Sequence, residues 1–290
     1  MKNLFFFLLI FMASNSISSS LMGQSIEELV KNREDGAYQK KITVERKPAV
    51  LPGVREADVI WSKIVWRLID LREKANQHLY FPLTEYQGRS NMFNLLLKGI
   101  KNNTIIAFAA NDPNNANNEF AKPISYDEIE KLFDAGKTTK IVKNPDNGQE
   151  ETVTIIKEIG LDEVKELLIK EIWYFDKQKS SLQVRILGIC PTRVYPKAGV
   201  ETKSKLFWVS YPEIRPLLAK SECLNARNGA RNFSFDDLFL MRNFDGYIVK
   251  EENVYDNREI LAYATGEYAS QESERIKTAI FNFEQDLWEY

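Results

Sequence analysis

The chain has 290 residues, 44% of them hydrophobic and 28% charged, with 39 Lys and Arg against 41 Asp and Glu and a net charge of −2. This is globular composition, long enough for a sizeable core and not basic enough for a nucleic-acid-binding surface. One histidine, His78, and two cysteines, Cys190 and Cys223, leave no Cys/His zinc cluster, and any histidine-dependent nucleophile would have to use His78.

Met1-Lys2-Asn3, the apolar run Leu4 to Met12 and the small polar stretch Ala13 to Gly23 follow the order of a secretory signal peptide. The apolar run is short against the roughly 20 residues of a membrane span. Residues 1–23 therefore read as an export signal cleaved near Gly23, which puts the mature chain outside the cytoplasm. There the two cysteines either pair, or Cys190 is a small buried residue on a strand. Residues 24–57 are polar and mixed in charge, with Pro48, Pro52 and Gly53, and read as an extended arm opening on a short helix near Ile26 to Val30. Residues 58–290 read as the globular region.

Asp58 to Asn76 reads as a helix, with Asp58 as N-cap and Ile60, Trp61, Ile64, Val65, Leu68 and Ile69 on one face. Trp66 falls on the polar face, packed within the chain or offered to a partner. Arg72 sits in the last turn, where a cation suits the free carbonyls. Thr84 and Gln87 suggest a capping box for a second helix ending near Gly99, and Thr104 to Ala110 a strand. Ser125 and Glu128 form another capping box, with Ile124 and Ile129 as a hydrophobic staple and Gly136 as terminator.

Thr138 to Lys143 and Gln149 to Ile156 read as a hairpin around Asn147-Gly148. After a short helix over Leu161 to Leu168, Ile169 to Phe175 and Leu182 to Cys190 form a second hairpin. Leu182, Val184 and Ile186 alternate there with Gln183 and Arg185. Pro191 to Ser204 reads as a basic loop containing Arg193. A strand over Leu206 to Ser210, a helix from Tyr211-Pro212, a helix over Phe233 to Met241 capped by Ser234, and a strand over Phe244 to Lys250 follow. The last helix, Gln271 to Tyr290, carries the stripe Ile276, Ile280, Phe283 and Leu287, with Phe281 and Trp288 beside it. The fold class is α+β: antiparallel hairpins with helices packed against them.

Phosphate-loop, dinucleotide, HExxH and GxSxG motifs are all missing from the sequence. Asp236-Asp237 and Glu251-Glu252 are candidate carboxylate pairs for acid/base work on a glycan, although neighbouring residues on an element point apart. The basic 191–205 stretch and Arg227/Arg231 suit an anionic surface, or are solvated charge.

Three blocks carry a resemblance. They are Asp58-Val-Ile-Trp-Ser-Lys-Ile-Val-Trp-Arg-Leu-Ile-Asp-Leu-Arg-Glu-Lys74, Ile172-Trp173-Tyr-Phe-Asp-Lys177 running on to Leu182-Gln-Val-Arg-Ile-Leu-Gly-Ile-Cys-Pro191, and Phe235-Asp-Asp-Leu-Phe239 followed by Tyr247-Ile-Val-Lys-Glu-Glu-Asn-Val254. In this order they resemble the GldN/PorN gliding-motility family of Bacteroidetes. The resemblance implies a non-enzymatic subunit of the type IX secretion system, without cofactor or catalytic residues. It implies a periplasmic ring of many copies with the outer-membrane lipoprotein GldK/PorK, in contact with the inner-membrane motor component GldM/PorM. A carboxylate-dependent periplasmic glycan hydrolase or glycan-binding protein is the alternative. The interface candidates are the large or cationic side chains Trp66, Arg72, Trp173, Arg193, Phe281 and Trp288.

Overall fold

A computed structural model describes residues 46–86, 88–110, 118–143, 150–197, 199–223 and 233–286. The expected export signal, most of the arm, the Asn144–Gly148 turn, Arg227, Arg231 and Trp288 lie outside the described residues.

The fold is built on one antiparallel sheet. The 58–76 segment is the largest correction: it is not a helix but a strand, β1 (Val59–Asp70), preceded by a single 3-10 turn at Glu56–Asp58. Val59, Ile60, Ile64, Val65 and Ile69, together with Trp61 and Trp66, favour an extended backbone. The residues from Val65 to Ile69 are all buried, because both faces of the sheet are covered there. A strand buried on both faces loses its alternation, and its periodicity no longer separates it from a helix.

The chain continues through α1 (Gln77–Tyr80), α2 (Met92–Lys101), β2 (Ala107–Ala109), β3 (Pro123–Ile124), α3 (Tyr126–Leu132) and the hairpin β4 (Gly136–Lys143) with β5 (Glu150–Lys157). The second helix is capped by Asn91, which accepts the Asn94 N–H at 2.7 Å, and not by the expected Thr84. The capping box of α3 is present as expected. That helix closes at Asp134 (φ 51°), two residues before Gly136.

In place of the expected short helix at 161–168 stands a 3-10 turn, Leu161–Glu163, leading into β6 (Val164–Asp176). Then come β7 (Ser181–Lys197), β8 (Val200–Lys205), β9 (Phe207–Ser210), α4 (Tyr211–Lys220), β10 (Glu222–Cys223), β11 (Phe233–Ser234), α5 (Phe235–Leu240), β12 (Tyr247–Glu251) and α6 (Glu267–Asp286). The expected basic loop at 191–204 is thus the hairpin β7–β8. The Ser234–Asp237 capping box of α5 is present.

The strand order is β12-β1-β6-β7-β9-β2-β3, with β8 also on β7. Cross-strand register sorts the core into layers. Ile69 pairs with Leu167 and Ile169 with Ile189, on the face covered by α2 to α5. Further along the sheet, Val65 and Ile248 pack with Ile276 and Ile280 of α6. On the opposite face Leu68, Leu168 and Cys190 stand in one row, packed with Trp66 and Trp208. Ion pairs tie β8 to distant strands: Lys203 reaches Glu166 of β6 at 2.6 Å and Lys205 reaches Glu259, just beyond β12, at 2.7 Å.

Candidate interaction surface

The sequence candidates do not gather in one place. Trp66 is 2% exposed, and its indole N–H donates to Glu119 Oε1 at 2.9 Å. The ammonium groups of Lys250 and Lys170 lie 4.3 and 5.1 Å from its ring centre. It is a core residue, because it lies in the stretch of β1 where both faces of the sheet are covered. Arg193 is also buried, donating to Glu163 (2.5 Å) and to the Leu132 carbonyl (2.7 Å), with its guanidinium 4.0 Å from the Tyr195 ring centre. Trp173 is half-buried: its indole donates to Glu171 and Arg242 covers its ring. Arg72 is exposed in the turn after β1 and forks onto Asp70 at 2.7–3.1 Å. Phe281 alone of the described apolar candidates is well exposed, at 56% on the outer side of α6.

The candidate acids serve the fold. Asp236 is buried and accepts from the Tyr211 hydroxyl (3.0 Å) and from Arg215 (2.9 and 3.1 Å). Burial, then Asp236, pushes the Tyr211 phenol far up. Asp237 instead caps α5 and pairs with Arg46 at 2.7 Å. Glu251 pairs with Lys63 (2.5 Å), while Glu252 accepts the Ile64 N–H. Neither pair converges on a shared space, so the geometry of a two-carboxylate hydrolase is not built from them. Glu171, fully buried, takes Arg67, Arg242 and Trp173. Among the described residues no group of three or more His, Cys, Asp or Glu is placed to hold a metal ion. Cys190 and Cys223 are both free and buried in different clusters, and burial pushes their thiols up to about 12 and about 11.

A group of exposed large side chains lies elsewhere, in the connection from β12 to α6 and the first turn of α6. Val254 is 92% exposed, Tyr255 69%, Leu261 64% and Tyr268 74%. Side-chain hydrogen bonds hold this segment. Asn253 Oδ1 accepts the N–H groups of Tyr255 (2.9 Å) and Arg258 (3.3 Å), its Nδ2 donates to the Glu251 carbonyl (3.2 Å), and its own N–H donates to Asn257 Oδ1 (3.0 Å). Asp256 and Asn257 take left-handed φ of 54°, a conformation these short polar residues tolerate. Ile260, 2% exposed, plugs the loop into the cluster under α6. The Arg258 guanidinium lies between Tyr255 (5.5 Å) and Tyr263 (4.5 Å).

Beside the loop is an open cleft of about 600 Å³ lined by Tyr263, Thr265, Tyr268, Gln271 and Arg275. The Tyr263 hydroxyl donates to Glu272 (3.1 Å), which also grips Arg275 at 2.6 and 2.8 Å. Arg275 holds the Glu272 carboxyl below its ordinary value, and burial beside Glu272 raises the Tyr263 phenol. The surface offers aromatic area, and the Glu272 and Arg275 charges at its edge are paired with each other. Sequence reasoning missed it. The available signal was turn chemistry, Asn253 and Asp256-Asn257, in the same stretch as Val254, Tyr255 and Leu261.

The family model described as gliding motility associated protein GldN matches residues 54–289, which includes every element of the sheet and the whole loop. The chain belongs to the GldN family. That places it with the gliding-motility and type IX secretion machinery. No curated protein matches the chain. Among the described residues no helix is long and apolar enough to cross a membrane.

Proposed function

We propose that this GldN-family chain is a non-enzymatic structural subunit of the type IX secretion and gliding machinery. It is exported to the periplasm, where many copies assemble with the lipoprotein GldK/PorK into a ring beneath the outer membrane. There the ring meets the inner-membrane component GldM/PorM. Its hold on the membrane is through partners.

The observation that carries this reading is the loop over 253–263. Loops that expose this much apolar surface are ordinarily mobile, but here Asn253, Asn257 and Ile260 fix the backbone while Tyr255, Leu261 and Arg258 face outward. Tyrosine and arginine dominate binding hot spots, and a surface ordered in advance loses less entropy on association.

Co-expression with the lipoprotein and sizing of the product tests it. The wild-type chain is expected to run as a large assembly. The double variant Tyr255→Ser, Leu261→Ser is expected to keep the wild-type melting temperature and lose the assembly. A wild-type chain that stays monomeric beside the lipoprotein overturns the proposal.

A further inference from the structure

The described part of the arm, residues 46–55, forms neither helix nor strand. Its sequence explains why. Pro48 and Pro52 each lack an N–H and push the residue before them, Lys47 or Leu51, toward an extended backbone. Arg55 is extended as well (φ −86°, ψ 144°). The segment is held by its carbonyls: Arg215 of α4 donates to that of Ala49 at 2.6 Å and Arg185 of β7 to that of Pro52, while Arg46 pairs with Asp237 at 2.7 Å. Gripped by the backbone, it leaves Val50 95% exposed and Leu51 exposed beside it. An extended segment fixed in place with apolar side chains in water loses little entropy when a partner covers it.

A surface that suits it lies on the same chain. The cleft beside the 253–263 loop is lined by Tyr263, Thr265, Tyr268, Gln271 and Arg275. Proline-bearing extended segments dock on exposed aromatic rings, and their carbonyls, which make no bonds within the segment, accept from donors around those rings. Tyr263 and Tyr268 supply the rings, and Gln271 and Arg275 carry N–H donors. Charge agrees with the pairing. Lys47 is exposed at the start of the segment, and Glu267 is exposed next to Tyr268. An exposed pair of this kind adds little affinity but sets which way a segment lies.

The segment does not reach the cleft of its own copy. Arg185, which holds Pro52, lies over the Tyr174 ring, and its neighbour Val184 pairs with Trp173 of the cluster under α6. Side chains alternate along a strand, so Arg185 is on the face of the sheet opposite α6. It is also near the wrong end of that helix, because the Leu182 N–H donates to Glu284. Tyr268 is in the first turn of α6, about 24 Å from Glu284 at 1.5 Å per residue.

We infer that the segment 47–54 of one copy docks in the Tyr263–Tyr268 cleft of the next. This rests on the reading that copies of the chain assemble, and it names what that surface takes. Two different patches joined head to tail repeat from copy to copy, which is the kind of contact a ring requires.

The test uses full-length chains co-expressed with the lipoprotein, with the wild type sized first. Every copy then carries Val50→Cys and Thr265→Cys, both at exposed positions, and the assembly is oxidised. Cys190 and Cys223 are buried, and each single variant gives the background. A ladder of disulfide-linked dimers, trimers and longer chains is expected, because a head-to-tail contact links each copy to two others. Adding Tyr268→Ala is expected to cut the linked fraction at least about tenfold and to leave the melting temperature unchanged, since the ring is exposed. An intact assembly without the ladder overturns the inference and leaves the subunit reading standing. So does a link confined to one copy, a link made only to the lipoprotein, or a ladder that Tyr268→Ala does not weaken. A wild-type chain that does not assemble removes both.

Discussion

Replacing Trp66 by alanine separates a core role from a partner role. The side chain is 2% exposed and packs among Leu68, Leu168, Cys190 and Trp208. Truncating a buried tryptophan costs about 3–5 kcal/mol in lost transfer energy and cavity. Two further losses add to this, the indole bond to Glu119 at 2.9 Å and the contacts of Lys250 and Lys170 with the ring. Glu119 keeps Lys170 at 2.5 Å, so its carboxylate is not orphaned. A total of about 5 kcal/mol, at roughly 2–4 °C per kcal/mol for a domain of this size, lowers the melting temperature by about 10–20 °C. Trp66→Phe keeps the apolar body and loses the donor, which is worth about 1–2 kcal/mol, or roughly 2–8 °C. Thermal melts followed by circular dichroism read both. A Trp66→Ala protein melting within about 2 °C of wild type, but defective in complex formation, refutes the core assignment.

Gly246→Ala is expected to cost about 1–3 kcal/mol, because the new methyl meets the Leu68 carbonyl oxygen at 2.5 Å and backbone there cannot step aside; chemical denaturation measures it. Native protein at pH 8 is expected to react slowly with a thiol reagent and to release two equivalents once unfolded, since burial raises the thiols of Cys190 and Cys223 to about 12 and about 11; rapid reaction of the native form contradicts this. His78 has a buried Nε2 without a hydrogen-bond partner, and burial holds its pKa below the ordinary 6.5. The unfolded chain therefore takes up the proton first as pH falls, and stability drops with falling pH from about 6.5 downward. His78→Gln is expected to flatten that stretch in urea melts compared at about pH 7 and 5.5, and an unchanged slope rejects the assignment.

How much of this was readable from the sequence follows from how local each signal is. The capping boxes Ser125–Glu128 and Ser234–Asp237 were readable because two residues three apart carry the whole interaction. The core of the β6–β7 hairpin was readable because one face of Leu182 to Ile186 alternates with a half-exposed polar face. What failed depends on neighbours far along the chain. The strand β1 has β12 on one side and β6 on the other and is covered above and below, so its apolar residues follow no single period. Arg193 looked solvent-facing within a run of basic residues, and only the fold brings Glu163 and the Leu132 carbonyl to it. The acids at 236 and 237 looked like a pair, and a helix N-terminus sends them to different partners. The loop at 253–263 was missed although Asn253 and Asp256-Asn257 carry turn chemistry, and its outward side chains acquire meaning only once Ile260 is seen to anchor it.

The charge pattern around that loop decides what kind of contact it can make. Glu272 is bound by Arg275, Glu259 by Lys205 and Glu274 by Lys277, while Arg258 is held against two tyrosine rings. Charges already paired within one chain have little to gain from a partner's charges, and salt screens exposed charges beyond a Debye length of about 8 Å at physiological strength. An assembly held by Val254, Tyr255, Leu261 and Tyr268 is therefore expected to survive an increase from about 0.15 to 1 M sodium chloride, and to tighten in ammonium sulfate, which strengthens apolar burial. Sizing across that salt series measures it. Dissociation by about 0.5 M sodium chloride would mean that charged groups such as Arg72, and not the tyrosine-rich loop, carry the contact.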